Sequence, residues 1–365
     1  MSATQKRRLE KLLDLCKTTG VDGVMILPGP NMTYLLDFTL EVFERPSFLL
    51  AVAGQTPLLV VPELDRERAE EAVGGLCQVL SYDDETGPWK IVDEHLSGLS
   101  GVLGVESKMP VGLLGKIQRR ATKLRFDEID HLIKSMRVVK DPSEIGRHKD
   151  AARILEQAML ITMNEIRAGM KEREVMSLFF KLCYDMGVEK GYCFVQSGPN
   201  GAKPHLEPTS KIIQENEVIV FDASVCYRGY YADFTRTIVL GKPTPEHEKI
   251  FNTVLDAQQR AIDSVRPGVS AEQLDRAARG RIAEEGYAEY FIHRTGHGLG
   301  VEVHEEPNIV EGNKAPLMPG MIFTIEPGIY LTGKFGVRLE DDIIVGHSGY
   351  ENTTRLPKIF DRSML

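Results

Sequence analysis

Two neighbouring apolar segments that each carry an acidic residue restrict what this chain can fold into. Residues 218–225 and 230–240 are rich in β-branched and aromatic residues, and the turn-forming residues 227–229 separate them. This pattern predicts a β-hairpin. Because side chains alternate between the faces of a strand, we expect Asp222 to lie on the strand opposite that of Asp233, close enough for both to hold one ion.

The same construction recurs further along the chain. Residues 321–330 and 336–345 are two more strand-like runs around a turn at residues 332–334, and they carry Glu326 and Glu340. They predict a second hairpin of two continuous strands, again with acids on its strands. One face of such a hairpin packs in the core, and the other is available for chemistry.

An internal repeat relates the two hairpins. A shift of about 100 residues places residues 167–169 on residues 266–268 and His205 on His304. Both copies have the order helix, glycine turn, helix, glycine stop, strand and acidic hairpin. We infer two similar halves related by a pseudo-twofold axis, which would bring both hairpins and both histidines to one central cleft.

Histidines cluster in one glycine-rich segment. Of the nine histidines, His293, His297 and His304 lie close together in sequence, and three glycines flank His297. These glycines permit a close approach of the backbone to a bound group, so the segment is predicted to be functional. His205 follows the Gly- and Pro-rich residues 198–204 and is a further candidate.

Four carboxylates and one imidazole are the candidate metal ligands. They are Asp222, Asp233, His297, Glu326 and Glu340. Oxygen donors with a single imidazole and no thiolate suit two hard or borderline divalent ions that share bridging carboxylates. We expect Mn²⁺ or Co²⁺, with Zn²⁺ and Fe²⁺ left open, and a pair of adjacent ions points to hydrolysis.

Four motifs resemble those of one enzyme family, the metallopeptidases with the pita-bread fold, which include methionine aminopeptidase, aminopeptidase P and prolidase. The motifs are FDASVCYRGYYADFTRT, HRTGHGLGVEVHEEP, FTIEPGIY and GVRLEDD. The resemblance implies that the five candidates are the ligands of a dinuclear site, with Asp233 and Glu340 bridging both ions. The family commonly has Asp-x-Gly at the first ligand, whereas this chain has Ser224 in place of that glycine, a change that removes no ligand.

The resemblance also implies catalytic and substrate-binding roles. Glu326 is implied as general base and acid, while His304 and His205 are implied to donate hydrogen bonds to the tetrahedral intermediate or to the substrate. His293 and Arg338 are implied to line the pocket beyond the scissile bond. The reaction would be cleavage at the N-terminal residue of a short peptide, with proline at its second position.

Arg338 distinguishes between two activities. Alternation along residues 335–346 places it on the same strand face as Glu340, where a planar guanidinium suits the free carboxylate of an Xaa-Pro dipeptide. The alternative for Arg338 is a surface salt bridge with Asp341 or Asp342. A prolidase is therefore the leading interpretation, and an aminopeptidase P acting on longer Xaa-Pro peptides is the alternative.

The front of the chain resembles the N-terminal domain of prolidase, aminopeptidase P and creatinase. The predicted elements are a helix at residues 5–18, strands at 23–27, 47–53 and 57–62, and a turn at 28–31. Asp141-Pro142-Ser143-Glu144 has the pattern of a capping box and should begin a helix through residue 166. The expected fold is α/β (α+β), with a creatinase/prolidase-like domain at residues 1–135 and a pita-bread catalytic domain at residues 136–365.

Composition agrees with a two-domain enzyme, since 42% of the residues are hydrophobic. The net charge of −9 and the lack of basic runs argue against nucleic acid or an anionic membrane as a partner. No apolar run is long enough to span a bilayer. Five scattered cysteines and the lack of a secretory signal favour the cytoplasm, and the resemblance implies a homodimer.

Three other functions stay open. A metal-free hydrolase such as creatinase, or an inactive binding protein with the same fold, would be expected to lack part of the ligand set. All five ligand positions hold competent side chains, which disfavours both. Hydrolysis of an amide that is not a peptide bond remains an alternative, because metal chemistry selects the bond type more strictly than the side chains around it.

Overall fold

The computed structural model describes residues 3–41 and 44–361. The chain forms two compact units, residues 1–137 and 138–365. The division lies two residues beyond the end of the predicted N-terminal domain. Within the described ranges, no helix is long and apolar enough to cross a membrane.

The N-terminal unit contains a six-stranded sheet in the order β4-β3-β2-β1-β5-β6, in which β2 runs antiparallel to both of its neighbours and the other pairs are parallel. Its strands are β1 (Gly23–Ile26), β2 (Phe48–Val52), β3 (Leu58–Pro62), β4 (Gln78–Tyr82), β5 (Gly101–Val105) and β6 (Leu124–Glu128). Its helices are α1 (Ala3–Thr18), α2 (Pro30–Leu36), α3 (Arg66–Val73), α4 (Trp89–Leu96), α5 (Val111–Gln118) and α6 (Asp130–Arg137).

The predicted first helix and the three predicted strands are confirmed in this unit, with ends that differ by one or two residues. The predicted turn at residues 28–31 is only half correct, because Pro30 already begins α2. Proline is well suited to the first position of a helix, where its missing N–H has no intrahelical partner.

The second unit begins with two helices and a three-stranded antiparallel sheet. These elements are α7 (Pro142–Glu165), α8 (Glu172–Asp185), β7 (Lys190–Ser197), β8 (Val218–Tyr227) and β9 (Tyr230–Val239). The predicted capping box is present, since Asp141 accepts hydrogen bonds from the N–H groups of Ser143 and Glu144, and the Glu144 carboxylate accepts from the N–H of Asp141. The predicted first hairpin is confirmed as β8 and β9.

The second half of this unit repeats the order of two helices followed by strands. These elements are α9 (Pro245–Asp263), α10 (Ala271–Glu284), β10 (Gly296–Gly298), β11 (Glu305–Ile309), β12 (Ile322–Ile325), β13 (Gly328–Leu331), β14 (Phe335–Arg338), β15 (Asp341–Val345) and β16 (Tyr350–Asn352). Gly169 and Gly268, at equivalent points of the repeat, both have positive φ. Equivalent isolated bridges also follow them, at residues 171 and 212 in one half and at 270 and 316 in the other.

Each half has its own hydrophobic core, in which the helix pair packs against the neighbouring strands. In the first half the rings of Phe179 and Phe221 meet edge to face, with centroids 5.5 Å apart. In the second half Val254, Phe323 and Ile343 belong to a separate buried cluster. Burying each such side chain contributes roughly 1.5–3 kcal/mol, so each hairpin is held rigidly by the layer behind it.

The second hairpin departs from the prediction, because neither of its strands is continuous. The chain leaves strand geometry at Glu326-Pro327 and again at Leu339-Glu340, which divides the hairpin into the pairs β12–β15 and β13–β14. Proline has no N–H to donate to a ladder, which accounts for the first break. Both breaks fall at predicted metal ligands.

Candidate metal centre

The first hairpin presents its two acids on one face. Asp222 pairs with Thr235 in the ladder, and Ser224 pairs with Asp233. Residues two apart on a strand share a face, so Asp222 and Asp233 lie on the same side of the sheet, displaced by two residue pairs along the hairpin.

The breaks in the second hairpin turn Glu326 and Glu340 towards other strands. The N–H of Glu326 donates to the Thr295 carbonyl at 2.7 Å, and the N–H of Glu340 donates to the Thr235 carbonyl at 3.1 Å. The latter contact joins the two hairpins as an isolated antiparallel bridge. The buried Arg236 braces this bridge by donating to the carbonyls of Thr235 and Glu340 at 2.9 and 2.8 Å.

Three of the predicted ligands form a compact buried cluster. Asp233, His297 and Glu340 each offer a ligand atom, and these atoms lie within 4.8 Å of one another. Glu326 is beside them, with its Oε1 3.3 Å from His297 Nε2. The structure therefore brings four of the five candidate ligands to one point.

The tautomer of His297 suits a metal ligand. Its Nδ1 lies 3.2 Å from the Gly298 carbonyl, which can only accept a hydrogen bond, so the ring proton belongs on Nδ1. The lone pair of Nε2 is then directed at Asp233 and Glu326. Burial, together with the charges of His304 and Arg294, lowers the pKa of His297 well below its usual range and keeps the ring neutral.

Asp222, the fifth candidate, is paired with Arg338. The guanidinium Nη2 donates to Asp222 Oδ2 at 2.5 Å, and Nη1 donates to the Tyr330 hydroxyl at 2.9 Å. The hydroxyl lies 2.8 Å from His293 Nε2, while His293 Nδ1 lies 2.7 Å from the Arg294 carbonyl. A continuous polar chain thus links a predicted metal ligand to both predicted substrate-binding residues.

The environment of Arg338 excludes the surface salt bridge that the sequence offered as the alternative role. Only 3% of the residue is exposed, so it forms no surface salt bridge, and its ion pair is with Asp222 and not with Asp341 or Asp342. Nε also donates to the Thr235 hydroxyl at 3.3 Å. Three of the five guanidinium N–H groups are thereby used, which leaves two for another acceptor.

The acids of the cluster repel one another in a region shielded from water. Burial and the charges of Glu340 and Asp222 raise the pKa of Asp233 well above its usual range, and burial with the charge of Glu326 does the same for Glu340. Burial raises the pKa of Glu326 to about 7, although Arg338 opposes the shift. Such a cluster is short of positive charge.

A divalent metal fits these residues for that reason. Cations placed among the four carboxylates would offset their repulsion, and the His297 lone pair supplies the nitrogen ligand. Thr235 donates to Glu340 Oε2 at 2.6 Å, and Thr324 donates to Glu326 Oε1 at 3.3 Å. These hydroxyls orient the two glutamates, as the partners of metal ligands commonly do.

The two predicted hydrogen-bond donors lie at the solvent side of the cluster. His304 and His205 are both exposed. The His304 ring packs edge-on against His297, with centroids 4.3 Å apart. Partial burial and the charges of Arg294 and His205 lower the pKa of His304. The charge of His205 also acts on His293, so the four candidate histidines lie in one region of the second unit.

The glycines around His297 serve a different purpose from the predicted one. A Cβ on Gly296 would lie 1.9 Å from the Thr324 carbonyl oxygen, and one on Gly298 would lie 2.1 Å from the Glu306 carbonyl oxygen. The close approach is therefore to neighbouring strands. The small glycines let β10 pack tightly between these strands, which fixes the position of His297. They do not by themselves make room for a bound ligand.

Sequence reasoning missed several residues of the site. Tyr330 connects Arg338 to His293, and Thr324 connects His297 to Glu326 through its hydroxyl, which also accepts from the His297 N–H. Asp342 accepts from the N–H of Asp233 at 3.0 Å. Strand alternation gave a signal for Tyr330 and Thr324, since each is an even number of residues from Glu326.

Similarities to known proteins cover nearly the whole chain. Residues 146–347 match Metallopeptidase family M24, and residues 8–139 match the Creatinase/Prolidase N-terminal domain. An Xaa-Pro dipeptidase of Pyrococcus horikoshii is 34% identical over 352 residues, which cover 95% of this chain and 97% of that protein. The structure of a prolidase from Thermococcus sibiricus has a TM-score of 0.94 at 37% identity, covering 99% of this chain and 100% of that one. An X-Pro aminopeptidase from Thermotoga maritima has a TM-score of 0.85 at 33% identity, covering 97% and 99%.

Proposed function

Because the chain belongs to metallopeptidase family M24, we propose that it hydrolyses the N-terminal peptide bond of short peptides, above all Xaa-Pro dipeptides. The observation that carries this proposal is the buried cluster of Asp233, His297 and Glu340, with Glu326 beside it and exposed histidines above it. Family membership and the prolidase structures also confirm the predicted pita-bread fold with its N-terminal domain.

We propose two divalent ions per chain, held by Asp222, Asp233, His297, Glu326 and Glu340. Asp233 and Glu340 are the proposed bridges, and Mn²⁺ or Co²⁺ are the proposed ions because the donor set is oxygen-rich. When bound, such ions lower the pKa of water and polarise a carbonyl as Lewis acids. The ion pair with Arg338 fixes the position of the Asp222 carboxylate at the edge of the proposed ion site.

Glu326 is the proposed proton carrier. It lies at the edge of the cluster, is more exposed than Asp233 or Glu340, and has one carboxylate oxygen near His297 and the other near His293. A carboxylate with a pKa raised by burial accepts a proton more readily than a free one. It would take a proton from the attacking water and deliver it to the nitrogen of the leaving residue.

His304 and His205 are the proposed donors to the tetrahedral intermediate. Both are exposed and can reach a bound substrate, whereas His297 is buried with its lone pair directed into the acid cluster. A positioned donor to a developing oxyanion is worth roughly 10²–10³ in rate. Neither residue needs to bind an ion for this role.

Arg338 and His293 are the proposed substrate-binding residues. They are connected through Tyr330, so a group that binds one of them also affects the other. The two remaining N–H groups of Arg338 suit the free carboxylate of a dipeptide. The ion pair with Asp222 holds the planar guanidinium group of Arg338 in one orientation before substrate binds.

Aminopeptidase P activity is the second candidate function. It is favoured by the similarity to the Thermotoga maritima X-Pro aminopeptidase, whose identity of 33% is close to that of the dipeptidases. A metal-free hydrolase or an inactive homologue is disfavoured, because every ligand position holds a competent side chain and the acid cluster lacks sufficient positive charge of its own.

We also propose a homodimer, and a reducing compartment such as the cytoplasm. The second proposal is supported by the five cysteines, all of which are buried and free of disulfides.

A substrate panel tests the proposed specificity. Metal-loaded protein would be assayed with an Xaa-Pro dipeptide, the same dipeptide amidated at its C-terminus, an Xaa-Pro-Xaa tripeptide and a Met-initiated peptide. Preferential cleavage of the free dipeptide supports the prolidase assignment. Equal rates for the dipeptide, its amide and the tripeptide would favour aminopeptidase P, and cleavage of the Met-initiated peptide alone would exclude both.

A further inference from the structure

The segment that carries His205 has little regular structure, yet buried side chains hold its backbone in place by hydrogen bonds. After β7 a short 3₁₀ helix spans Gly198–Ala202, and residues 203–210 then form no helix or strand. His205 itself is exposed. An exposed donor on such a loop can act in a transition state only if the backbone around it is fixed.

Glu172 fixes the two ends of this loop. It is fully buried, and its carboxylate accepts from the N–H and hydroxyl of Ser197 at 2.8 and 2.9 Å. On the other side of the loop it accepts from the N–H and hydroxyl of Thr209 at 3.0 and 2.6 Å. Asn200 donates to both carboxylate oxygens at 3.1 Å.

Gln196 holds the middle of the loop. It lies at the end of β7 and is fully buried. Its Nε2 lies within hydrogen-bond distance of the carbonyls of Lys203, Pro204 and Leu206, at 2.9, 3.0 and 2.9 Å, and two of these carbonyls share one of its two N–H groups. Two of these carbonyls precede His205 and one follows it. One side-chain amide therefore holds the backbone immediately around the exposed imidazole by hydrogen bonds.

The orientation of this amide follows from its partners. All three are carbonyl oxygens, which only accept hydrogen bonds, so the nitrogen must face them. The Gln196 Oε1 is then buried, and it has no hydrogen-bond partner among the described residues. An unsatisfied buried carbonyl is unfavourable, which indicates that the donor side of the amide, and not mere filling of space, accounts for glutamine at this position.

The loop also contacts the strand that carries Arg338. A Cβ on Gly336 would lie 1.9 Å from the Gly201 carbonyl oxygen, so β14 and the 3₁₀ helix touch through their backbones. Strand β14 thus supports the loop on a further side.

We propose that Gln196 is a positioning residue for catalysis, which fixes the position of His205 through hydrogen bonds to the carbonyls of residues 203, 204 and 206. This inference rests on the proposed function, because it takes His205 as a donor to the substrate or intermediate. It assigns Gln196 no contact with substrate or metal.

A double-mutant cycle tests the proposal. Gln196→Met keeps the length of the side chain and removes the donor, and it is combined with His205→Ala. We expect Gln196→Met to lower kcat about 10- to 100-fold with little change in KM or metal content. In the His205→Ala background the same substitution should lower kcat no further, because there is no imidazole left to position.

Gln258 provides a matched control. It too is fully buried, donates to one backbone carbonyl, that of Ile325 at 2.9 Å, and leaves its Oε1 without a partner in the described residues. Gln258→Met makes the same chemical change away from the His205 loop. Gln258→Met should change kcat by the same factor in the wild-type protein and in the His205→Ala variant.

An equal effect of Gln196→Met in both backgrounds would overturn the proposal, and so would an unchanged kcat in the single variant. Gln196→Asn, which keeps the amide but shortens its reach, replaces the methionine variant if the latter does not fold. Hydrogen exchange of residues 203–206 needs no substrate and separates this inference from the proposed function. The exchange rate of these amides should increase in Gln196→Met and not in Gln258→Met. An unchanged rate would show that Gln196 does not hold the loop in place.

Discussion

The guanidinium of Arg338 and the carboxylate of Asp222 form an ion pair, with Nη2 2.5 Å from Oδ2, although the two residues belong to different hairpins. The pair joins the proposed ion site to the proposed substrate pocket. Burial opposes the charge of Arg338, but Tyr330 and Asp222 hold its pKa well above the usual range. Arg338 therefore carries its positive charge permanently.

Replacing this arginine tests the recognition of a carboxylate. Arg338→Lys should raise KM chiefly for the free Xaa-Pro dipeptide, because an ammonium lacks the planar fork, and a charge-assisted pair is worth on the order of 1.5–3 kcal/mol. The amidated dipeptide serves as the control, since it lacks the charge. Equal losses for the acid and its amide would mean that Arg338 does not bind the substrate carboxylate.

Removing a bridging carboxylate tests the ligand assignment. Asp233→Ala or Glu340→Ala should abolish turnover and weaken the binding of both ions, because each residue is assigned to both. Metal content measured after dialysis checks this, with Glu311→Ala as a control that removes only a surface ion pair with Arg276. An Asp233→Ala protein that retains all of its metal would contradict the bridging role.

Removing the His304 imidazole should lower kcat and leave the metal content unchanged. We expect His304→Ala to lower kcat about 10²-fold or more with metal content intact, because its donor acts on the intermediate. His205→Ala should behave in the same way, and the exposed His347→Ala is the matched control. Loss of metal from the His304 variant would make that residue a ligand, and the set of five would then be wrong.

A buried histidine behind the site predicts how stability changes with pH. Burial lowers the pKa of His148 from 6.5 to about 4, and its Nδ1 lies 2.9 Å from the Tyr231 carbonyl. Between these two pH values the unfolded chain binds a proton at this residue that the folded protein does not. The free energy of unfolding therefore falls as the pH drops through this window, and the contribution is regained above it.

Urea unfolding of metal-free protein checks this expectation. His148→Gln should reduce the loss of stability between neutral pH and pH near 4 by about 3 kcal/mol relative to the wild type. Equal losses in the two proteins would show that His148 titrates in the folded state as it does in the unfolded chain.

The local parts of the fold could be predicted from the sequence. The Asp141 capping box and the β8–β9 hairpin depend on neighbouring residues, and both have the predicted form. The repeated glycines recur with positive φ in both halves. Such features follow from turn chemistry and from the period of the side chains.

The parts that could not be predicted depend on partners distant in sequence. Alternation of residues predicted continuous strands through Glu326 and Glu340, but Thr295 and Thr235 accept their N–H groups and the strands break there. The pairing of Arg338 with Asp222 likewise crosses between hairpins. No local pattern encodes the relative position of the two halves, so the sequence suggested candidate site residues more readily than the contacts between them.

Metal depletion followed by refilling with single ions is the most direct test of a dinuclear Xaa-Pro dipeptidase. Protein stripped with a chelator would be titrated with Mn²⁺ or Co²⁺ while hydrolysis of an Xaa-Pro dipeptide and bound metal are both measured. We expect the stripped protein to be inactive, and activity to return as about two ions bind per chain. Undiminished hydrolysis after rigorous removal of metal would contradict the metallopeptidase mechanism.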